Sequence, residues 1–168
     1  MLIDDLKRIA KEILVRDGNH QPMFMLCSNE QIIGKPLPTA MFQKLYGNLN
    51  AEDFKTQVVF CMGALAKKLE ANRLIMIWDA AMRMYPPDTK KEDIDVTEFP
   101  LQFPKLMRTE CLIFNDISFV TGKDVTAIIP YKGGEGVPVE FLENNVPEEA
   151  LIDSRFTEIA LKGYNKIL

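Results

Sequence analysis

The residues of this chain that could do chemistry are few and scattered. There is one histidine, His20, and the three cysteines, Cys27, Cys61 and Cys111, are separated by 34 and 50 positions. Zinc asks for about four ligands, usually delivered as close pairs, so this spacing predicts no metal site. His20 would need an orienting partner and a substrate proton to act as a base, and its sequence neighbours offer neither. A nucleophile would need Cys27, His20 and a carboxylate to converge in space. The thiols fall instead in apolar patterns, where cysteine behaves as a small hydrophobe.

Charged residues set inside apolar strand patterns are the stronger signal. Asp79 and Arg83 are four apart, so an extended chain puts them on one face, and Arg108 and Glu110 share a face in the same way. If the two segments are neighbours, the four groups form a cluster in which two arginines face a carboxylate- or phosphate-bearing ligand. The same four residues also suit a cross-strand salt-bridge network on an open face, which is the preferred reading. Asp79, Arg83, Arg108, Glu110 and His20 are therefore the ligand-binding candidates, with no catalytic residue assigned and no cofactor or metal expected. The run Lys132-Gly-Gly-Glu-Gly136 has the glycine content of a phosphate loop. It is followed by a strand pattern rather than a helix, so it reads as a hairpin connection.

These residues must be positioned by a chain whose composition is that of an ordinary globular protein, 47% hydrophobic and 26% charged. Its length of 168 residues predicts one domain, 1–168. The net charge is −4, and 133–153 carries six carboxylates and no Lys or Arg, which argues against nucleic-acid and anionic-membrane partners. The first residues lack the basic and apolar regions of a secretory signal, and unpaired cysteines suit a reducing compartment, so a cytoplasmic location is expected.

The spacing predicts an amphipathic helix over 2–15, with Leu2, Leu6, Ile9, Ile13 and Leu14 on one side and Gly18 as a left-handed stop. A buried strand over 22–28 turns at Asn29-Glu30 into 31–34, and Pro36 and Pro38 are expected to end that hairpin. Asn50 should cap a second helix whose apolar stripe is Phe54, Val58, Cys61, Met62, Leu65 and Leu69, with Asn72 closing it. Leu74–Trp78 reads as a central strand continuing toward Met84. An excursion over 85–105 with four prolines follows. Strands are expected over 109–114, 125–129 and 137–142, the last at an edge because of Pro138. Pro147 should open a final helical stretch. The order predicts an α+β fold, a mostly antiparallel sheet with two long helices packed on it and a C-terminal helix.

The train Gly18-x-x-x-Pro22-Met, Trp78-x-Ala80-x-Met82 and Arg108-x-Glu110-x-Leu112 resembles a group of small prokaryotic and phage proteins of unknown function over about 1–130. The resemblance implies a similar α+β fold and no activity. The element order is also similar to that of roadblock- and longin-like domains, which dimerise and act as scaffolds, an analogy at the level of fold alone. The expectation is a non-enzymatic binding or assembly module, self-associating as a homo-oligomer or docking a protein partner. The alternative is a small-molecule binder or enzyme using Asp79, Arg83, Arg108 and Glu110 beneath the 85–105 loop.

Overall fold

A computed structural model describes residues 1–43, 47–83, 108–142 and 155–166. The expected 85–105 excursion, most of the acidic segment and Pro147 with the residues up to 154 lie outside them, while the expected final helix is described from Arg155 onward. Seven strands form one sheet: β1 Met23–Ser28, β2 Gln31–Ile32, β3 Leu37–Pro38, β4 Arg73–Arg83, β5 Arg108–Ser118, β6 Asp124–Gly134 and β7 Val137–Phe141. The order is β2-β1-β4-β5-β6-β7, with β3 also paired to β1, and every ladder is antiparallel. Helix α1, Leu2–Asp17, covers one face, and α2, Ala51–Lys68, with α3, Arg155–Tyr164, covers the other. The fold is α+β, as the element order predicts.

Strand alternation sorts the core into two layers. Phe24, Leu26, Leu74, Met76 and Trp78 point toward α2 and α3, where Val58, Val59, Met62, Ala66 and Ala160 meet them. Met25, Cys27, Ile75, Ile77, Leu112, Phe114 and Tyr131 point toward Leu6, Ala10 and Leu14 of α1. This explains why β1 and β4 read as unbroken apolar runs: both of their faces are covered. Trp78 stacks on Phe156 of α3 with ring centroids 5.2 Å apart. Its indole N–H donates to Asn115 Oδ1 at 2.9 Å, and Asn115 Nδ2 donates to Thr126 Oγ1 at 3.2 Å, so the buried asparagine is satisfied by a polar ladder across three strands.

The helix on helix packing is set by two glycines. A Cβ on Gly63 would stand 2.0 Å from the carbonyl oxygen of Ala160, and one on Gly163 would stand 2.1 Å from that of Phe60. Only glycine at both positions lets the backbones of α2 and α3 come so close. At the other end of the chain, Gly18 has φ 76° and donates its N–H to Leu14 O at 2.8 Å, the left-handed stop expected for α1. Asn50 caps α2 as expected, its Oδ1 accepting from Asp53 N at 2.9 Å.

Two local expectations need correction. Asn72 does not close α2: Glu70 takes the left-handed conformation, φ 59°. The Asn72 side chain is used across the chain instead, where its Oδ1 accepts from Asn29 N and its amide donates to Asn29 Oδ1. The prolines do not end the pairing with β1, since Leu37–Pro38 returns to it after a break. Thr39 N donates to Pro22 O, so Thr39 faces β1 and the nitrogen of Pro38 faces outward, where a missing donor costs nothing.

Candidate functional site

β4 and β5 are neighbours in an unbroken ladder, so the four charged candidates fall at alternate positions of adjacent strands. Arg83 pairs with Arg108, Glu110 with Ala81, and Asp79 with Leu112. The side chains of Arg83 and Arg108 lie outside the described residues. Asp79 has other partners in any case. Its Oδ1 accepts from the hydroxyl of Tyr131 at 2.5 Å, and its Oδ2 accepts from the backbone N–H of His20 at 3.1 Å. Tyr131 sits on β6 opposite Glu110, so Asp79, Glu110, Tyr131 and His20 gather at one corner of the α1 face.

The electrostatics of this corner are those of a clasp. Burial, together with the hydrogen bond to Asp79, pushes the Tyr131 phenol above its ordinary value, so it stays protonated and donating. Burial holds His20 below the usual histidine value, against the raising influence of its bond to Gln21 O, Asp79 and Asp17. The neutral ring donates Nδ1–H to Gln21 O at 2.7 Å, because a carbonyl can only accept. Glu135 N donates to Gly18 O at 3.2 Å beside this corner, and a Cβ on Gly18 would press to 2.8 Å on Glu135 N. Asp79 thus ties the connection between α1 and β1 to the sheet, while Gly18 lets the same connection seat on the β6–β7 turn.

The thiols are placed elsewhere. Cys27 pairs with Arg73, six positions along β4 from Asp79, which sets it about 20 Å from His20 at the strand's rise per residue. Cys27 and Cys111 are fully buried, and burial pushes them up to about 11 and about 12. Both are protonated at neutral pH and poor nucleophiles. Beside Cys27 a second polar cluster closes the opposite end of the sheet. Arg73 donates from Nε and Nη2 to both oxygens of Asp116, at 2.8 and 2.7 Å, and from Nη1 to Asn29 O. Among the described residues no group of histidine, cysteine and carboxylate side chains has the arrangement to hold a metal ion.

A groove of about 650 Å³ runs between the outer side of α1 and β7, lined by Asp4, Lys7, Lys11, Glu12, Arg16 and Phe141 among others. Lys11 Nζ lies over the Phe141 ring, 5.1 Å from its centre. Val15 also lines this groove and is 58% exposed. The sequence patterns single out neither Tyr131 nor this groove. Tyr131 becomes the partner of Asp79 only through the β5–β6 register, and the one local signal for the groove is an apolar Val15 on the charged side of α1. No described helix is long and apolar enough to cross a membrane. Compared with protein-family models, with curated proteins and with solved structures, the chain finds no match.

Proposed function

We propose that this chain is a non-enzymatic assembly module that associates with itself through its sheet. One observation carries the reading: β7 is an edge strand with no neighbour on its outer side among the described residues, and exposed apolar side chains flank it. Unpaired edges are templates for further strands, and proteins that do not use them blunt them. The opposite edge is blunted, being made of two strands of two residues each with Pro38 facing outward. The Asp79 corner supports the same reading from the other side. Its hydrogen bonds are spent on tying the chain together rather than held in reserve for a ligand.

Sedimentation velocity from about 1 to about 200 μM tests this, a range that covers associations of modest affinity. A mass that doubles across the series is the expected result. A chain that sediments as a monomer at every concentration refutes it.

A further inference from the structure

We propose that the groove between α1 and β7 is a docking site for an extended acidic peptide of a partner protein, a role separate from self-association through the sheet. The chain as a whole has a net charge of −4, yet this groove is lined by four cations, Lys7, Arg8, Lys11 and Arg16, against two carboxylates, Asp4 and Glu12. A concavity dominated by one sign concentrates its field and draws in the opposite charge.

The cations are largely available. Arg8 bonds Glu12 at 3.1 Å and Arg16 bonds Asp17 at 2.8 Å, but every side chain in these pairs is at least 44% exposed. Exposed pairs of this kind contribute little, so an incoming carboxylate exchanges for them at small cost. Lys7 and Lys11 have no ion-pair partner among the described residues. Both are half-buried and stand one turn apart, where like charges repel. An anion seated between them removes that repulsion. Lys11 meets only the Phe141 ring, so the groove also has an aromatic floor. Val15 adds an exposed apolar side chain toward the end of the helix.

The dimensions select an extended peptide. From Lys7 to Arg16 the helix rises about 14 Å, the span of about five residues of extended chain. Lys7, Lys11 and Val15 follow one another at four-residue steps, about 6 Å apart along the axis. Side chains on one side of an extended peptide repeat every two residues, at about 6.6 Å. A peptide that reads acidic, any, acidic, any, apolar therefore sets its two carboxylates against Lys7 and Lys11 and its apolar side chain on Val15. A compact anion would engage the lysines and leave Val15 bare. A nucleic acid would likewise offer Val15 nothing, and the remainder of this acidic chain repels it.

Fluorescence anisotropy with a capped, fluorescein-labelled peptide of glutamate, serine, glutamate, serine and leucine tests this. Saturable binding that weakens as salt is added is the expected result, since the charges involved are exposed to screening. Lys7→Glu combined with Lys11→Glu should weaken it about tenfold or more. Val15→Ser should weaken this probe but leave unchanged the affinity for a probe with serine in place of the leucine. Both variants should keep the parent's denaturation midpoint, which separates lost binding from a lost fold. A probe that does not bind the unmodified chain, or binds the charge-reversed variant as well as the parent, overturns the proposal. Displacement of the probe by inorganic phosphate or a thymidine oligonucleotide, as readily as by the unlabelled peptide, overturns the peptide assignment in favour of a general anion site.

Discussion

Replacing Gly63 by alanine sets two opposed effects against each other, and the structure decides which wins. In an exposed helix interior the change stabilises by about 1 kcal/mol, because glycine has the greater backbone entropy to lose. Here the new methyl would sit 2.0 Å from Ala160 O and 2.9 Å from Tyr164 N. Ordinary contact begins at 3.4 Å, so α3 must withdraw by about 1.4 Å. The obstacle is backbone, which cannot rotate aside as a side chain would. Withdrawal also loosens Ala160, Ile159 and Leu161 from the core layer that holds Trp78. Overpacking a dense interior costs about 1–3 kcal/mol, and a backbone clash this deep sits toward the upper end, so after the propensity gain Gly63→Ala should lose about 1–2 kcal/mol net. Gly163→Ala, whose methyl meets Phe60 O at 2.1 Å, should behave alike. The double variant should cost less than the sum, since one withdrawal relieves both clashes. Urea denaturation followed by Trp78 fluorescence, the chain having one tryptophan, measures all three. A Gly63→Ala protein at least as stable as the parent would mean that propensity wins and that the helices are not in backbone contact.

Other predictions follow from the two polar ends of the sheet and from the thiols. Tyr131→Phe should cost about 1–3 kcal/mol, because it leaves one oxygen of a half-buried carboxylate without its donor. Ultraviolet titration should show one of the four tyrosines ionising well after the others, and that late step should vanish in the variant. His20 is held below its ordinary value of 6.5, so the unfolded chain binds the proton more readily than the folded one. Its contribution to stability is therefore full above that pH and is lost as pH falls below it. His20→Gln should flatten the stability profile between pH 6.5 and the lower folded value, and an unchanged slope would exclude His20 as the source. Cys27 and Cys111 should resist a thiol reagent at pH 8 until the chain is unfolded. Arg73→Ala should cost about 2–4 kcal/mol in the same denaturation assay, since Asp116 is only 20% exposed and loses both of its bonds.

The parts of this fold that were legible in the sequence are those fixed by local rules. Leu74–Trp78 declares a strand covered on both faces, Asn50 declares a cap, and Gly18 declares a stop, each from its own chemistry and that of a few neighbours. Glu135-Gly136 turns the β6–β7 hairpin with both φ values positive, as a glycine-rich connection before a strand should. What was not legible depends on pairing. Glu70, not Asn72, takes the left-handed turn because Asn72 is drawn away by Asn29, 43 positions distant in sequence. Gly63 and Gly163 look like two weak helix residues until their helices are crossed. Asp79 was legible as a misfit in an apolar strand, but its partner Tyr131 is 52 positions away and enters through the register of a third strand. A charged residue in a strand announces that it needs a partner, and only the sheet says which.

Helix α1 is fastened at both ends by residues far down the chain. Leu2 N donates to Glu30 at 2.7 Å, Gly18 O accepts from Glu135, and Lys11 rests on Phe141. Its buried side chains, Leu6, Ala10 and Leu14, share their core layer with β1, β4, β5 and β6. Helix α1 precedes in the chain every strand that seats it, so in synthesis it is made before its surroundings. Until β6 and β7 have been synthesised, α1 has only part of its seat and must wait with its apolar side uncovered. Such long-range closure slows folding and lengthens the exposure of sticky surface. The two aspartates in its first turn and the four Lys and Arg residues along it keep that waiting helix soluble.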